Sequence, residues 1–166
     1  MTICRPPRDE DVPALAALRN DVAAQHAMLA DPRPNSLDDV RAWIARRISD
    51  PAALFRIVAD ASDRAVGFTQ VVAIDERNRH GMFGIGIDAR HRGRGHGRAA
   101  IEHVFAAARD DGRLDKIVLH VASDNPAAEL YRRLGFVDVG ILRRHYRGPE
   151  RWHDVAVMER FVVPQP

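Results

Sequence analysis

Arg92-Gly93-Arg94-Gly95-His96-Gly97 stands between an apolar run, Met82 to Ile87, and a helix-patterned run from about Gly97 to Arg109. In the second run Ile101, Val104, Phe105 and Ala108 fall on one helical face. Alternate glycines let a backbone turn tightly and bring its N–H groups against a bulky anion. A helix starting there adds unpaired N–H groups and the positive end of its dipole. Strand, glycine loop and helix N-terminus together make a phosphate site, with Arg92, Gly93, Arg94, Gly95, His96, Gly97 and Arg98 as its candidate contacts. A dinucleotide fingerprint would need a third glycine where Arg98 stands, and a Walker A loop would need a lysine, yet the only one in the chain is Lys116. The remaining alternatives are an ordinary turn or a basic Arg-Gly segment for RNA. Glycine-rich RNA tails are usually repeated and disordered, whereas this loop is single and bracketed by periodic apolar segments.

A second block follows. Lys116 to Val121 reads as a buried strand, and Asn125-Pro126-Ala127-Ala128-Glu129-Leu130-Tyr131-Arg132-Arg133-Leu134-Gly135-Phe136 as a short helix. Asn125 before Pro126 is a helix start, and Gly135 stands where a C-terminal cap belongs. Arg92-x-x-Gly95-x-Gly97, followed by Asn-x-x-Ala-x-Leu-Tyr-x-x-Leu-Gly-Phe over 125–136, resembles the two signatures of the GNAT superfamily of acyl-CoA-dependent N-acetyltransferases. The resemblance covers roughly residues 82 to 136.

The rest of the chain agrees with one domain over residues 1–166. That length suffices for a single sizeable core, and 46% of the residues are hydrophobic. A net charge of +2, with arginines spread along the chain, argues against a nucleic-acid partner. No apolar run has the length of a membrane span, and the N-terminus lacks a signal-peptide core. One cysteine, Cys4, suggests a reducing compartment, so the expected location is the cytoplasm. The eight histidines include no pair at helical ligand spacing, so no metal is expected.

Read outward, Thr2 to Arg5 forms a short strand. Val12, Leu15, Leu18, Val22 and His26 continue along one helical face. Asp31 to Asn35 breaks the chain, and Ser36 opens a helix with Leu37, Val40, Trp43, Ile44 and Ile48 as its apolar set. Ala53 to Ala59 and Val66 to Ile74 are strands joined by Asp60 to Arg64. Val137 to Tyr146 and Trp152 to Val163 close the chain as a hairpin. Periodicity alone supports a mixed α/β domain. The resemblance implies more: one GNAT-like domain with a central mixed, mostly antiparallel sheet, splayed at the cofactor site, and helices on both faces.

It also implies chemistry: direct transfer of an acetyl group from acetyl-CoA to an amine. In the family the strand before the loop bulges and splays from its neighbour, and pantetheine enters the gap. Ile85, Gly86 and Ile87 match that strand end. Gly84 and Gly86 could instead avoid a clash with a helix. Tyr131 matches the family tyrosine that protonates the CoA sulfur, against the alternative of a core aromatic. Asn125 joins the cofactor contacts. The family's strand glutamate has no counterpart in His80-Gly81-Met82-Phe83. His120 is the candidate base, with His80, Glu76 and a water chain behind it. The hairpin is similar to the phosphinothricin and amino-acid acetyltransferase branch, which implies a small amine-bearing substrate and a homodimer. Protein N-terminal or lysine acetylation and non-catalytic acyl-CoA binding are the alternatives.

Overall fold

The computed structural model describes residues 1–163. Strand β1 (Ile3–Arg5) leads through a 3-10 turn into α1 (Val12–Asn20), α2 (Val22–Ala27) and α3 (Leu37–Ser49). Strands β2 (Leu54–Ala59), β3 (Ala65–Asp75) and β4 (His80–Ile87) follow, then α4 (His96–Asp111), β5 (Lys116–Ala122), α5 (Ala127–Arg133), β6 (Val137–Arg147) and β7 (Trp152–Phe161). The seven strands make one sheet in the order β1-β2-β3-β4-β5-β7-β6. Only β4 and β5 run parallel. A parallel pair needs a crossover, and α4 supplies it.

Helices cover both faces. On one, Leu15 and Leu18 of α1 and Val40, Trp43 and Ile44 of α3 pack on Phe55, Ile57 and Phe68. On the other, Ile101, Val104 and Phe105 of α4 and Tyr131 of α5 pack on Val71, Phe83, Leu119 and Met158. Strand residues of opposite parity feed the two cores, as the pleat requires.

The first helix differs from the expected continuous one. Asp21 is extended, and its carboxylate accepts the Ala24 N–H, so it ends α1 and caps α2. Asn20 reinforces the break through bonds to the Ala16 and Asn35 carbonyls. Val22, expected inside, is therefore exposed, and His26 turns toward the hairpin. Ser36 caps α3 as expected, with Asp39 completing a capping box. Leu37 and Ile48 lie outside its buried stripe and are exposed.

Candidate functional site

Pairing between β4 and β5 runs only from His80–Lys116 to Phe83–Leu119. Beyond that point β4 stays paired to β3 and β5 to β7, so the inner edges of Gly84–Ile87 and His120–Ala122 part. The expected splay is present. The expected bulge in β4 is not: its register with β3 is regular through 84–87, and the irregularity lies at Val72–Asp75, where Ala73 takes a positive φ. The sheet opens by divergence of two strands, each held by its outer neighbour.

The glycine loop closes the opening. Gly93 and Gly95 have φ of 73° and 84°, a region costly for residues with a Cβ. The Arg92 side chain donates through Nε to the Ile87 carbonyl at 3.0 Å and pins the loop to the strand end. The first intrahelical bond of α4 is Ala99 N–H to the Gly95 carbonyl at 3.0 Å. Among the described residues, the N–H groups of 93–98 find no backbone acceptor. Six successive free donors at a helix start form an anion cradle.

These elements enclose a cavity of about 450 Å³ lined by Ile85, Gly86, Ile87, Arg92, Gly93, Gly95, His96, Gly97, Arg98, Asn125 and Tyr131 among others. The cofactor contacts expected from the sequence thus come together, with Arg94 alone outside the lining. The structure adds Ala27 and Met28 from the end of α2, His91 before the loop and Leu130 of α5. His91 Nδ1 is buried without a hydrogen-bond partner. Sequence reasoning missed α2 because the break at Asp21 brings it there, although the Asn20-Asp21 pair was a legible turn signal.

Gly86 serves both expected alternatives. It lines the cavity, and a Cβ there would stand 2.8 Å from Met28 Sδ and 2.9 Å from Phe68 Cε1. Bare backbone is what lets α2 close over the strand. Asn125 organises the opposite wall: its side chain accepts the Ala127 N–H at 2.9 Å and its carbonyl the Ala128 N–H at 3.2 Å. Gly135 (φ 87°) ends the helix as expected.

Tyr131 is buried against Phe83 and Phe136, and its phenol faces the cavity lining without a hydrogen-bond partner among the described residues. Burial pushes its pKa up to about 12. His96 is held below the usual histidine range, by burial first and His91 second, and its Nδ1 lies 2.9 Å from Thr2 Oγ1. His120 does not line the cavity. It is half-buried on the other face of β5, edge-on to His145, with its pKa lowered by burial and then by that ring. Period-2 alternation puts it opposite Leu119 and Val121, away from α5. Of the other candidate bases, His80 starts β4, far from the splayed end, and Glu76 is exposed beside Arg113.

Residues 2–137 match the acetyltransferase (GNAT) domain family. The chain is 32% identical over 124 residues to the spermidine N(1)-acetyltransferase of Vibrio cholerae, covering 74% of this chain and 72% of that one. It is 31% identical over 105 residues to the ribosomal protein bS18-alanine N-acetyltransferase of Escherichia coli, covering 63% and 68%. The crystal structure of the Vibrio cholerae spermidine N-acetyltransferase with CoA and spermine superposes with a TM-score of 0.89 at 28% identity, over 96% of this chain and 95% of that one. These matches place the chain in the GNAT superfamily but not specifically in the phosphinothricin branch expected from the hairpin. The family match stops at residue 137, before the hairpin begins in earnest. The hairpin aromatics also have local partners: Tyr146 donates to the Ala30 carbonyl, and Trp152 stacks under Arg144 and Arg147.

Proposed function

We propose that this chain, which belongs to the GNAT acetyltransferase family, acetylates the primary amine of a small aliphatic molecule, polyamines being the first class to test. The chain is an acyltransferase, and acetyl-CoA is its acyl donor. The observation that carries the reading is the row of free N–H groups over 93–98, whose residues other than Arg94 line one cavity with Ile85, Gly86 and Ile87 of the parted strand β4 and with Tyr131.

Acetyl-CoA supplies the activated acyl group. The free amides, with Arg92 and Arg98 beside them, hold the pyrophosphate. The unpaired edge of Ile85, Gly86 and Ile87 aligns the pantetheine arm as a strand would. The Tyr131 phenol, protonated across the neutral range, gives its proton to the departing thiolate. Burial raises the phenol, so it stays protonated until the thiolate leaves.

A mass-shift screen of polyamines, amino acids, aminoglycosides and peptides with acetyl-CoA tests this reading. Acetylation of small aliphatic amines supports it. Acetylation confined to peptide N-termini would favour the second reading, protein N-terminal acetylation, which the bS18-alanine N-acetyltransferase relative supports.

A further inference from the structure

A cluster beside the cavity has no part in the roles above. His26 at the end of α2, Asp124 between β5 and α5, and His153 at the start of β7 bring one ligating atom each within 4.8 Å of one another. Asp124 Oδ2 accepts from Arg151 Nη2 at 3.0 Å and lies 3.2 Å from His153 Nδ1. Its other oxygen, Oδ1, has no hydrogen bond among the described residues and faces His26 Nε2 at 3.8 Å. That spacing is too long for a direct bond. One nitrogen donating to both atoms at about 2.8 Å would hold them roughly 4 to 4.6 Å apart, so a small outward shift from 3.8 Å admits it.

The cluster is built and placed. The His26 ring packs on Tyr146 and His153, with centroids 5.5 and 4.5 Å away. Tyr146 is aimed at α2 by an irregularity between Leu142 and Tyr146, where Arg144 takes a φ of 48° and donates its N–H to Asp154. His26 precedes Ala27 and Asp124 precedes Asn125, and both followers line the cavity. Asn125 Nδ2 stands 3.5 Å from the Ala27 carbonyl, so the two walls meet there.

We propose that Asp124 Oδ1 and His26 Nε2 receive the acceptor ammonium, and that His26 Nε2 removes the proton the amine must lose. The proposal rests on the amine-acetylation reading above. An alkylammonium donates one proton to His26 Nε2 and becomes a neutral amine. Its lone pair forms the C–N bond as the C–S bond breaks. The second nitrogen proton leaves as the amide forms, the thiolate is protonated, and one proton per turnover reaches solvent from His26. His153 and Arg151 are positioning residues that occupy Oδ2 and leave Oδ1 open. The groups around His26 are Asp124 from the β5–α5 turn, His153 from β7, Tyr146 from β6, Arg151 through Asp124, and Asp31 beside Tyr146.

The test compares spermidine with O-benzylhydroxylamine, which is already neutral at pH 7, at saturating acetyl-CoA. His26→Gln should lower kcat/KM for spermidine about 10²-fold, the scale of general base catalysis, and for the alkoxyamine less than about tenfold. The acidic limb of kcat with spermidine should vanish in His26→Gln and persist in His120→Ala. Asp124→Asn should raise the spermidine KM. CoA affinity by calorimetry should stay unchanged in all three. Equal losses for both acceptors, no loss for spermidine, or disappearance of the limb in His120→Ala would overturn the proposal. So would inactivation of the wild type by EDTA with recovery on zinc, which would make the cluster a metal site. If the wild type binds CoA but acetylates no amine, the functional reading fails. The site is then read by NMR: spermidine with CoA should shift the His26 ring signal in wild type and not in Asp124→Asn, and an unmoved signal overturns it.

Discussion

Gly95→Ala separates the backbone geometry of the glycine loop from packing. Gly95 has φ 84° and ψ −3°, and a Cβ there would meet nothing within 4 Å. Removing the glycine therefore creates no clash, and its cost is intrinsic: about 1–2 kcal/mol for an L-residue in this region. In a chain of this size that lowers Tm by about 2–8 °C. The effect on CoA depends on what the loop does with the strain. If it relaxes, the N–H groups flanking the turn rotate out of line. Losing two charge-assisted bonds at about 1.5–3 kcal/mol each weakens binding by about 10²- to 10⁴-fold. Gly112→Ala is the internal control. It ends the same helix with φ 68° and ψ 8°, also in open space, and does not line the cavity. Its Tm should fall similarly with CoA affinity intact. Calorimetric titration with CoA and thermal melts of both variants decide the matter. Equal CoA affinity in Gly95→Ala, Gly112→Ala and wild type would refute the assignment of the loop to phosphate.

Tyr131→Phe keeps the ring against Phe83 and Phe136 and removes only the hydroxyl. Turnover should fall about 10²-fold or more with CoA affinity little changed, as read by steady-state kinetics and calorimetry; wild-type turnover with chemistry rate-limiting would make it a core residue only. Asp11→Ala should cost about 1.5–3 kcal/mol in urea unfolding, because it removes the carboxylate that meets the buried Arg5 guanidinium at 2.8 Å on both oxygens while Asp63 still accepts from Arg5 Nε at 2.6 Å. Asp88, before the loop, is held down at about 2, chiefly by its bond from Arg90. Its folded pKa is depressed, so its contribution to stability is complete above the unfolded value near 3.9 and is lost as pH falls toward about 2. Melts of Asp88→Asn should show a shallower acid limb between those values.

The conformation of the glycine loop and of the helix start at Asn125 was legible because its determinants are local. Gly93 and Gly95 take the left-handed turns that their spacing implied, Asn125 caps the helix it precedes, and Gly135 ends it. In each case a residue and its immediate neighbours suffice to specify the conformation. The surroundings of His120, the candidate base, were not legible. Alternation along β5 correctly set its ring opposite Leu119, yet nothing in the chain told which face carried the cavity, and the structure turns His120 to His145 instead.

By itself, then, the sequence determined the glycine loop and the helices that flank it, since these follow from backbone preferences and periodicity over a few residues, while the mixed sheet between them was implied by the family resemblance. The tertiary structure decided the rest. The strand order sets β7 between β5 and β6, and the break at Asp21 swings α2 across Gly86. Together they bring His26, Asp124 and His153 to one another from three distant parts of the chain, with His26 and Asp124 each one residue away from a residue that lines the cavity. Such a meeting depends on pairing and packing between elements, which side-chain patterns within one element do not encode.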